Sequence, residues 1–380
     1  MIRWAILTGE YPPTPGGVSD YTQLVATSLA EAGDEVHVWA PGESNLVSDA
    51  GVTVHRLPDH FGLRSLRCLD ADLMRLGSRV RILVQWVPHG FGYRSLNVGF
   101  CAWFARRAAR ACDRVEIMVH EPFLWFREGS WRQDAAALVH RLMTIFLLRS
   151  VDKVWVSIPA WSDRWRAYTL GRLVPFEWLP IPSNVPVVRD LAGVAAVRTR
   201  FSPCGGPLVG HFGTFGKLTA DMLKCVLPRL LARRSELSAL LIGRGGNAFV
   251  AELSREFPNL AERISATGGL EPGAVSAHLQ ACDVFLQLYP DGASSRRGSL
   301  MAGLAHGKPI VTNRDRHTES IWLESGAVRL VENETDAQVQ AVEALLEDAA
   351  ARDQLGATAS ALYDRRFDLR HTVTALRAVP

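Results

Sequence analysis

The chain has 380 residues, 48% of them hydrophobic and 21% charged, with a formal net charge of +3. That length suits two domains better than one, the composition is that of a globular protein, and the charge is too small to argue for a nucleic-acid partner. No apolar run approaches the length that spans a bilayer, and six cysteines (Cys68, Cys101, Cys112, Cys204, Cys225, Cys282) without C-x-x-C spacing fit free thiols in a reducing cytoplasm better than disulfides or a zinc site.

The first apolar run, IRWAIL, is too short for a signal peptide and reads as a strand. GEYPPTPGGVSDY follows it. Pro12, Pro13 and Pro15 fix φ and remove N–H donors, while Gly16 and Gly17 permit close backbone approach. The loop is therefore shaped, and it leaves amides bare at a helix start, which suits an anionic ligand. It reads equally as a connector that turns a corner. Asp20 and Gln23 have capping-box spacing. Tyr21, Leu24, Val25, Leu29 and Ala32 share one helical face, Gly33 is a C′ residue, and EVHVWA is the second strand. RILVQWV (81–87), VEIMVH (115–120) and KVWVSI (153–158) continue a doubly wound α/β pattern.

FGYRSLNVGFCAWFARRAAR (91–110) mixes aromatics with arginines. It reads first as a core helix with its arginines in solvent, second as a face for a sugar, a lipid-linked acceptor or an anionic membrane. Proline-rich WLPIPSNVPVV (178–188) is a natural domain junction. The α/β rhythm then restarts. PLVGHFG (207–213) is a strand, Thr219 to Arg233 a helix, and SALLIG (238–243) a strand entering the turn GRGG. ISATG, DVFLQL and KPIVT are the next three strands. Ligands of such sheets bind beyond the carboxyl ends of the strands, and two facing units would form a cleft.

These residues resemble the nucleotide-sugar glycosyltransferases of the GT-B fold, and within them glycosyltransferase family 4. The likeness runs through EYPPTPGGVSDYTQLVATSLAEAGDEVHVWAP, VGHFGTFGK, LLIGRGG, ACDVFLQLYPDG and SLMAGLAHGKPIVT, in the family's order over nearly the whole chain. It implies an α/β protein of two Rossmann-like doubly wound domains facing an interdomain cleft. Residues 1–186 would bind the acceptor and 187–365 the nucleotide sugar. Residues 366–380, which take in most of RRFDLRHTVTALRA, would form a helix crossing back to the first domain. The implied activity is transfer of a hexosyl-type sugar from a nucleotide-diphosphate donor, UDP or GDP by expectation, to a glycan, lipid-linked or small-molecule acceptor, with retention at the anomeric carbon. No cofactor or metal is obligatory in that implied chemistry. The implied location is cytoplasmic, with room for peripheral contact at the inner face of the membrane.

Leaving-group charge on the diphosphate calls for fixed donors, and guanidinium groups bind phosphate oxygens in bidentate fashion. Arg296 and Arg297 precede a helix, with Ser295 and Ser299 as hydroxyl donors. By the resemblance, the Gly16–Gly17 loop lies beside the donor, Gly213 lets the backbone approach the phosphates, and Lys217 fills a diphosphate-binding role. The family's arginine position falls on Thr214. Its paired glutamates fall on Ser294 and Ala302, neither of them acidic. Glu319 and Asp291 are substitute carboxylates by position. His120, with Glu121 beside it, is expected near the donor sugar, where it could donate a hydrogen bond. His89 and Tyr93 are acceptor-side candidates, and His306 reads as structural. The missing glutamate pair keeps a second reading open, a GT-B-like binding or partner subunit that has lost turnover. A sugar-nucleotide epimerase is a third.

Overall fold

The computed structural model describes every residue except 44–46, 78, 93–95, 111, 128–129 and 379–380. It divides into two units, Met1–Pro180 with Leu369–Pro380, and Ile181–Asp368. The segment after Pro180 belongs with the second unit because its backbone bonds there. Ile181 N–H donates to the Ser295 carbonyl at 3.0 Å, and Ser183 N–H to the Tyr363 hydroxyl at 3.1 Å.

In the first unit, strands β1 (Arg3–Thr8), β2 (Glu35–Pro41), β3 (Val47–Asp49), β4 (Val52–Leu57), β5 (Arg81–Trp86), β6 (Arg114–Val119), β7 (Lys153–Val156) and β8 (Phe176–Trp178) form one sheet of order β3-β4-β2-β1-β5-β6-β7-β8. All pairs are parallel except β3 with β4. Central strands buried on both faces read as continuous apolar runs, and RILVQW of β5 is buried throughout. Its Arg81 is kept in the sheet by Glu116 of β6 at 2.5 Å, a carboxylate that also accepts from Arg114 at 2.6 Å and Trp155 Nε1 at 2.7 Å. A buried carboxylate with three donors is compensated. The six-residue β4 and the short β3 and β8 go beyond the strands read from the sequence.

Helix α1 (Gly17–Glu31) crosses from β1 to β2 and ends at Gly33, whose φ of +86° suits a C′ glycine. The expected capping box is corrected at its start. The N-cap residue is Gly16, and the capping oxygen comes from Glu10, whose Oε1 accepts from Val18 and Ser19 N–H, each at 3.0 Å. Helix α2 (Leu63–Arg75) precedes β5, and α3 (Val98–Ala108) lies between β5 and β6. Phe100, Cys101, Trp103 and Phe104 of α3 are buried, as is Phe91, so the described aromatics of the stretch at 91–110 belong to the core. Helices α4 (Trp131–Leu148) and α5 (Pro159–Arg166) flank β7 in sequence. Near the C-terminus, Arg377 pairs with the buried Asp34 carboxylate at 2.9 Å, which also accepts from Ile2 N–H at 2.9 Å.

In the second unit, β9 (Leu208–Phe212), β10 (Ser238–Ile242), β11 (Ile264–Gly268), β12 (Val284–Gln287), β13 (Ile310–Asn313) and β14 (Arg329–Val331) form an all-parallel sheet of order β11-β10-β9-β12-β13-β14. The unit's first α-helices in chain order are α6 (Leu191–Phe201), α7 (Lys217–Arg233), α8 (Gly246–Glu256), α9 (Pro272–Ala281) and α10 (Gly298–Ala305). Chain order reverses beside β9 here and beside β1 in the first sheet. The loops after those two strands therefore open at the switch points where doubly wound sheets bind ligands.

One close approach fixes the second switch point. Gly243, just after β10, has φ +127°, and a Cβ there would overlap the Gly213 carbonyl. Gly243→Ala is expected to cost on the order of 3 kcal/mol, as a positive φ and a backbone clash combine. Urea unfolding checks this against Gly17→Ala, where a Cβ meets nothing within 4 Å and the midpoint should hold or rise. Equal midpoints for the two variants would refute the steric account.

Candidate functional site

The loops after β1, β5 and β6 converge at one edge of the first sheet. A Cβ on Gly9 would strike the Gly90 backbone, so the two strand-end loops approach this closely because residue 9 is glycine. Gly16 is glycine for a related reason. Its φ of 179° is ordinary, but a Cβ would enter the Glu10 carboxylate. The expectation of bare amides at this helix start is therefore corrected. Glu10 occupies two of them and brings its own negative charge to the positive end of α1. Gly17 faces open space.

His120 follows β6 and is buried. Its Nε2 lies 2.8 Å from Gln85 Oε1 on β5, and the Tyr21 ring meets it edge-on at 5.0 Å. Burial pushes the imidazole down to about 3, so it is neutral near pH 7. Donation from Nε2 to Gln85 fixes the tautomer and leaves Nδ1 an acceptor. With Nε2 engaged by Gln85, Nδ1 is the ring atom that would meet a hydroxyl. Beside it, exposed Glu121 lies 3.8 Å from His89 Nδ1. Tyr93 lies outside the described residues.

In the second unit, Gly213 closes β9 with φ +151°, and its N–H donates to the Ile242 carbonyl at 3.0 Å. A Cβ there would come within 3.7 Å of Ser299 Oγ, so this loop lies against the start of α10 (Gly298–Ala305). Thr214 is exposed. Lys217 begins α7 (Lys217–Arg233), two residues earlier than the sequence suggests, and its ammonium lies 3.6 Å from Asp221 one turn on.

The segment before α10 carries the densest polar network of the unit. Arg296 and Arg297 each donate through Nη2 to a different oxygen of Asp291, and His317 Nδ1 donates to the same carboxylate at 3.0 Å. Burial works against the Asp291 charge, but the His317 hydrogen bond and the two guanidinium charges outweigh it. Together they hold the carboxyl far below the ordinary carboxylate range. Arg297 also lies 5.1 Å from the Tyr289 ring centre, and Tyr289 OH meets Ser299 Oγ at 2.9 Å. Asn313 of β13 grips the Tyr289 backbone through both its amide atoms, each at 2.8 Å.

Glu319 lies behind this network. One of its oxygens accepts from Ser295 N–H at 2.6 Å and Trp322 Nε1 at 2.8 Å, and the other from Ser295 Oγ. Burial nevertheless pushes its carboxyl up to about 7. Both substitute carboxylates are therefore engaged. Asp291 holds the arginines and Glu319 holds the turn that carries them, so Glu319 is a positioning residue and not a free ligand group. Ser294 is buried with an unpartnered Oγ, Ala302 is core, and His306 is tied to Ser276 Oγ at 2.9 Å.

The structure thus gathers Gly213, Ser294, Ser295, Arg296, Arg297, Ser299 and Glu319 around one helix N-terminus, and gathers His89, His120 and Glu121 at one sheet edge. The sequence reading missed Glu10 as a cap, Gln85 as the histidine's partner, and His317, Tyr289 and Asn313 as the arginines' frame. His317 had a visible signal, since it stands two residues before Glu319 in NRDRHTESIW.

Residues 16–176 match the model of the glycosyl transferase 4-like domain. The chain is 23% identical over 354 residues to the phosphatidyl-myo-inositol mannosyltransferase of Mycolicibacterium smegmatis, covering 90% of this chain and 83% of that one. Its fold is similar to sucrose-phosphate synthase from Thermosynechococcus elongatus (TM-score 0.74, 15% identity, 99% of this chain and 97% of that one). It is also similar to Anabaena HepE solved with UDP and glucose (TM-score 0.70, 16% identity, 99% and 98%).

Proposed function

For a chain of GT-B fold that resembles glycosyltransferase family 4 and carries a glycosyl transferase 4-like domain over residues 16–176, we propose transfer of a sugar from a nucleotide diphosphate to a hydroxyl acceptor. The second unit would hold the donor and the first the acceptor. The observation that carries this reading is the cationic helix start in the second unit. Arg296 and Arg297 flank the first turn of α10. Among the described residues, nothing accepts from the N–H groups of Gly298, Ser299 and Leu300. The Gly213 backbone lies beside them without a side chain in the way. Helix-end amides, a hydroxyl and guanidinium groups suit a diphosphate.

In this reading the chain's own groups stabilise the departing nucleoside diphosphate as the glycosidic bond breaks. No carboxylate described above is free to attack the anomeric carbon in that network. We therefore assign retention by a front-face transfer, in which the leaving phosphate oxygen takes the acceptor proton. His120 Nδ1 would accept from a sugar hydroxyl and orient the ring. UDP or GDP is the proposed nucleotide, and the acceptor is a glycan, a glycolipid or a small molecule. That the similar HepE was solved with UDP and glucose supports a UDP donor.

The engaged state of Asp291 and Glu319 supports a second reading, a partner subunit without turnover. Calorimetric titration with UDP, GDP, ADP, dTDP and CMP, then with the matching sugar nucleotides, separates the two. Binding of one diphosphate at micromolar strength is the expected result. A folded protein that binds none of them would leave only the partner-subunit reading.

A further inference from the structure

The outward face of α4 is inverted. A surface helix normally buries an apolar stripe and presents charge to water. Here Ala137, His140, Met143, Thr144 and Leu147 face inward, while the solvent stripe reads Trp131, Ala135, Leu138, Leu142 and Phe146. Trp131 is 75% exposed and Leu138 55%. The stripe runs about 22 Å along the helix. Loops extend it at both ends. Before α4, exposed Trp125 and Phe126 are tied to the helix by Gln133, which donates to the Trp125 carbonyl at 3.0 Å. After α5, Arg172 donates to the Leu148 carbonyl at 2.6 Å and so carries exposed Leu170 and Leu173 to the far end, Leu173 at 98% exposure. Seven or more exposed large apolar side chains on one helix face and on loops tethered to both its ends need an explanation that scattered exposed leucines do not.

Arginines border it, folded onto aromatic rings. Arg141 lies 3.9 Å from the Phe126 ring centre and Arg164 3.8 Å from that of Trp125. Residues 122–149 hold four arginines against two carboxylates, and one of those carboxylates, Asp134, accepts from the Arg127 N–H at 2.7 Å. We propose that this face of α4, with its two flanking loops, docks the protein on an anionic phospholipid surface. Trp, Phe and Leu would enter the interface while guanidinium groups meet headgroup phosphates. No described helix is long and apolar enough to cross a membrane, so the helix lies on the bilayer. Charge separates this partner from a second copy of the chain. A two-fold pairing through α4 would set the arginine border against itself, whereas phospholipid phosphates complement it. The proposal does not depend on the identity of the sugar donor.

The test is cosedimentation of the full chain with phosphatidylcholine vesicles, with and without phosphatidylglycerol. Binding should rise with phosphatidylglycerol and fall with salt. Leu138→Glu/Leu142→Glu/Phe146→Glu should lower partitioning by at least about tenfold, and Arg132→Glu/Arg149→Glu should lower it on anionic vesicles alone. Brominated lipid should quench the wild type more than Trp131→Phe, a readout that stands even if the triple variant misfolds. Equal quenching, a triple variant that binds as the wild type does, or a wild type that ignores anionic vesicles would overturn the proposal. So would sedimentation velocity showing a dimer that the triple variant dissolves.

Discussion

Arg297→Ala is expected to weaken nucleoside-diphosphate binding by at least about tenfold and to lower kcat/KM by about a hundredfold or more. The asymmetry follows from where the residue sits. Arg297 is the N-cap residue of α10, so its guanidinium lies at the positive end of the helix, and Asp291 and the Tyr289 ring limit its motion. A cation held in place before the ligand arrives costs little to reorganise when charge develops on the leaving oxygen, so its loss falls more heavily on the transition state than on the ground state. Asp291 keeps Arg296 and His317 as partners in the variant, so the loop should keep its shape. The fold check is an unchanged urea midpoint. Arg297→Lys should recover part of the binding and little of the rate, because an ammonium cannot bind two phosphate oxygens as a planar fork does. Unchanged titrations of UDP and GDP in Arg297→Ala would remove the phosphate assignment and, with it, the main support for the donor site.

The sheets were legible because parallel strands buried on both faces leave continuous apolar runs, as RILVQW and SALLI do, and glycine-rich turns mark their ends. β3, β8 and β14 are only three residues each and leave no such run. The site was half legible. Arg296 and Arg297 could be found because charge beside a helix start has few structural uses. Their dependence on Asp291, His317 and Tyr289 could not, since those residues approach through loops whose spacing has no period. Glu10 shows the same limit. A capping box is read at fixed spacing, but this cap comes from a carboxylate eight residues before Val18, across the proline-rich loop. Likewise the arginine-rich aromatic stretch at 91–110 drew attention by composition. The exposed face on α4 needed to be seen in three dimensions, because its residues alternate with the core positions of the same helix.

Glu319→Gln is expected to remove a pH dependence on the order of 3 kcal/mol. Burial raises the folded-state carboxyl to about 7, while the ordinary value is 4.5. Between those values the folded chain holds a proton that the unfolded chain has released. The group's stabilising contribution is therefore complete below about pH 4.5, falls as pH rises, and is gone above about 7. His120 and His211 oppose it, since burial lowers them to about 3 and about 4, and each subtracts stability as pH falls below 6.5. The wild-type curve alone mixes these effects, so the difference between wild type and Glu319→Gln is the quantity to follow by urea unfolding across pH 4.5 to 7.5. The amide keeps an acceptor for Ser295 N–H and Trp322 Nε1, so the variant should match or exceed the wild type at the alkaline end and fall behind at the acidic end. A difference that stays flat would mean that Glu319 is ionised throughout. The same proton should reach the ligand. Ser295 immediately precedes the arginines, and a buried negative charge appearing behind that turn opposes a diphosphate in front of it. Wild-type affinity for UDP should therefore fall, relative to Glu319→Gln, as pH passes 7. The phosphate's own titration is common to both proteins and cancels in that ratio.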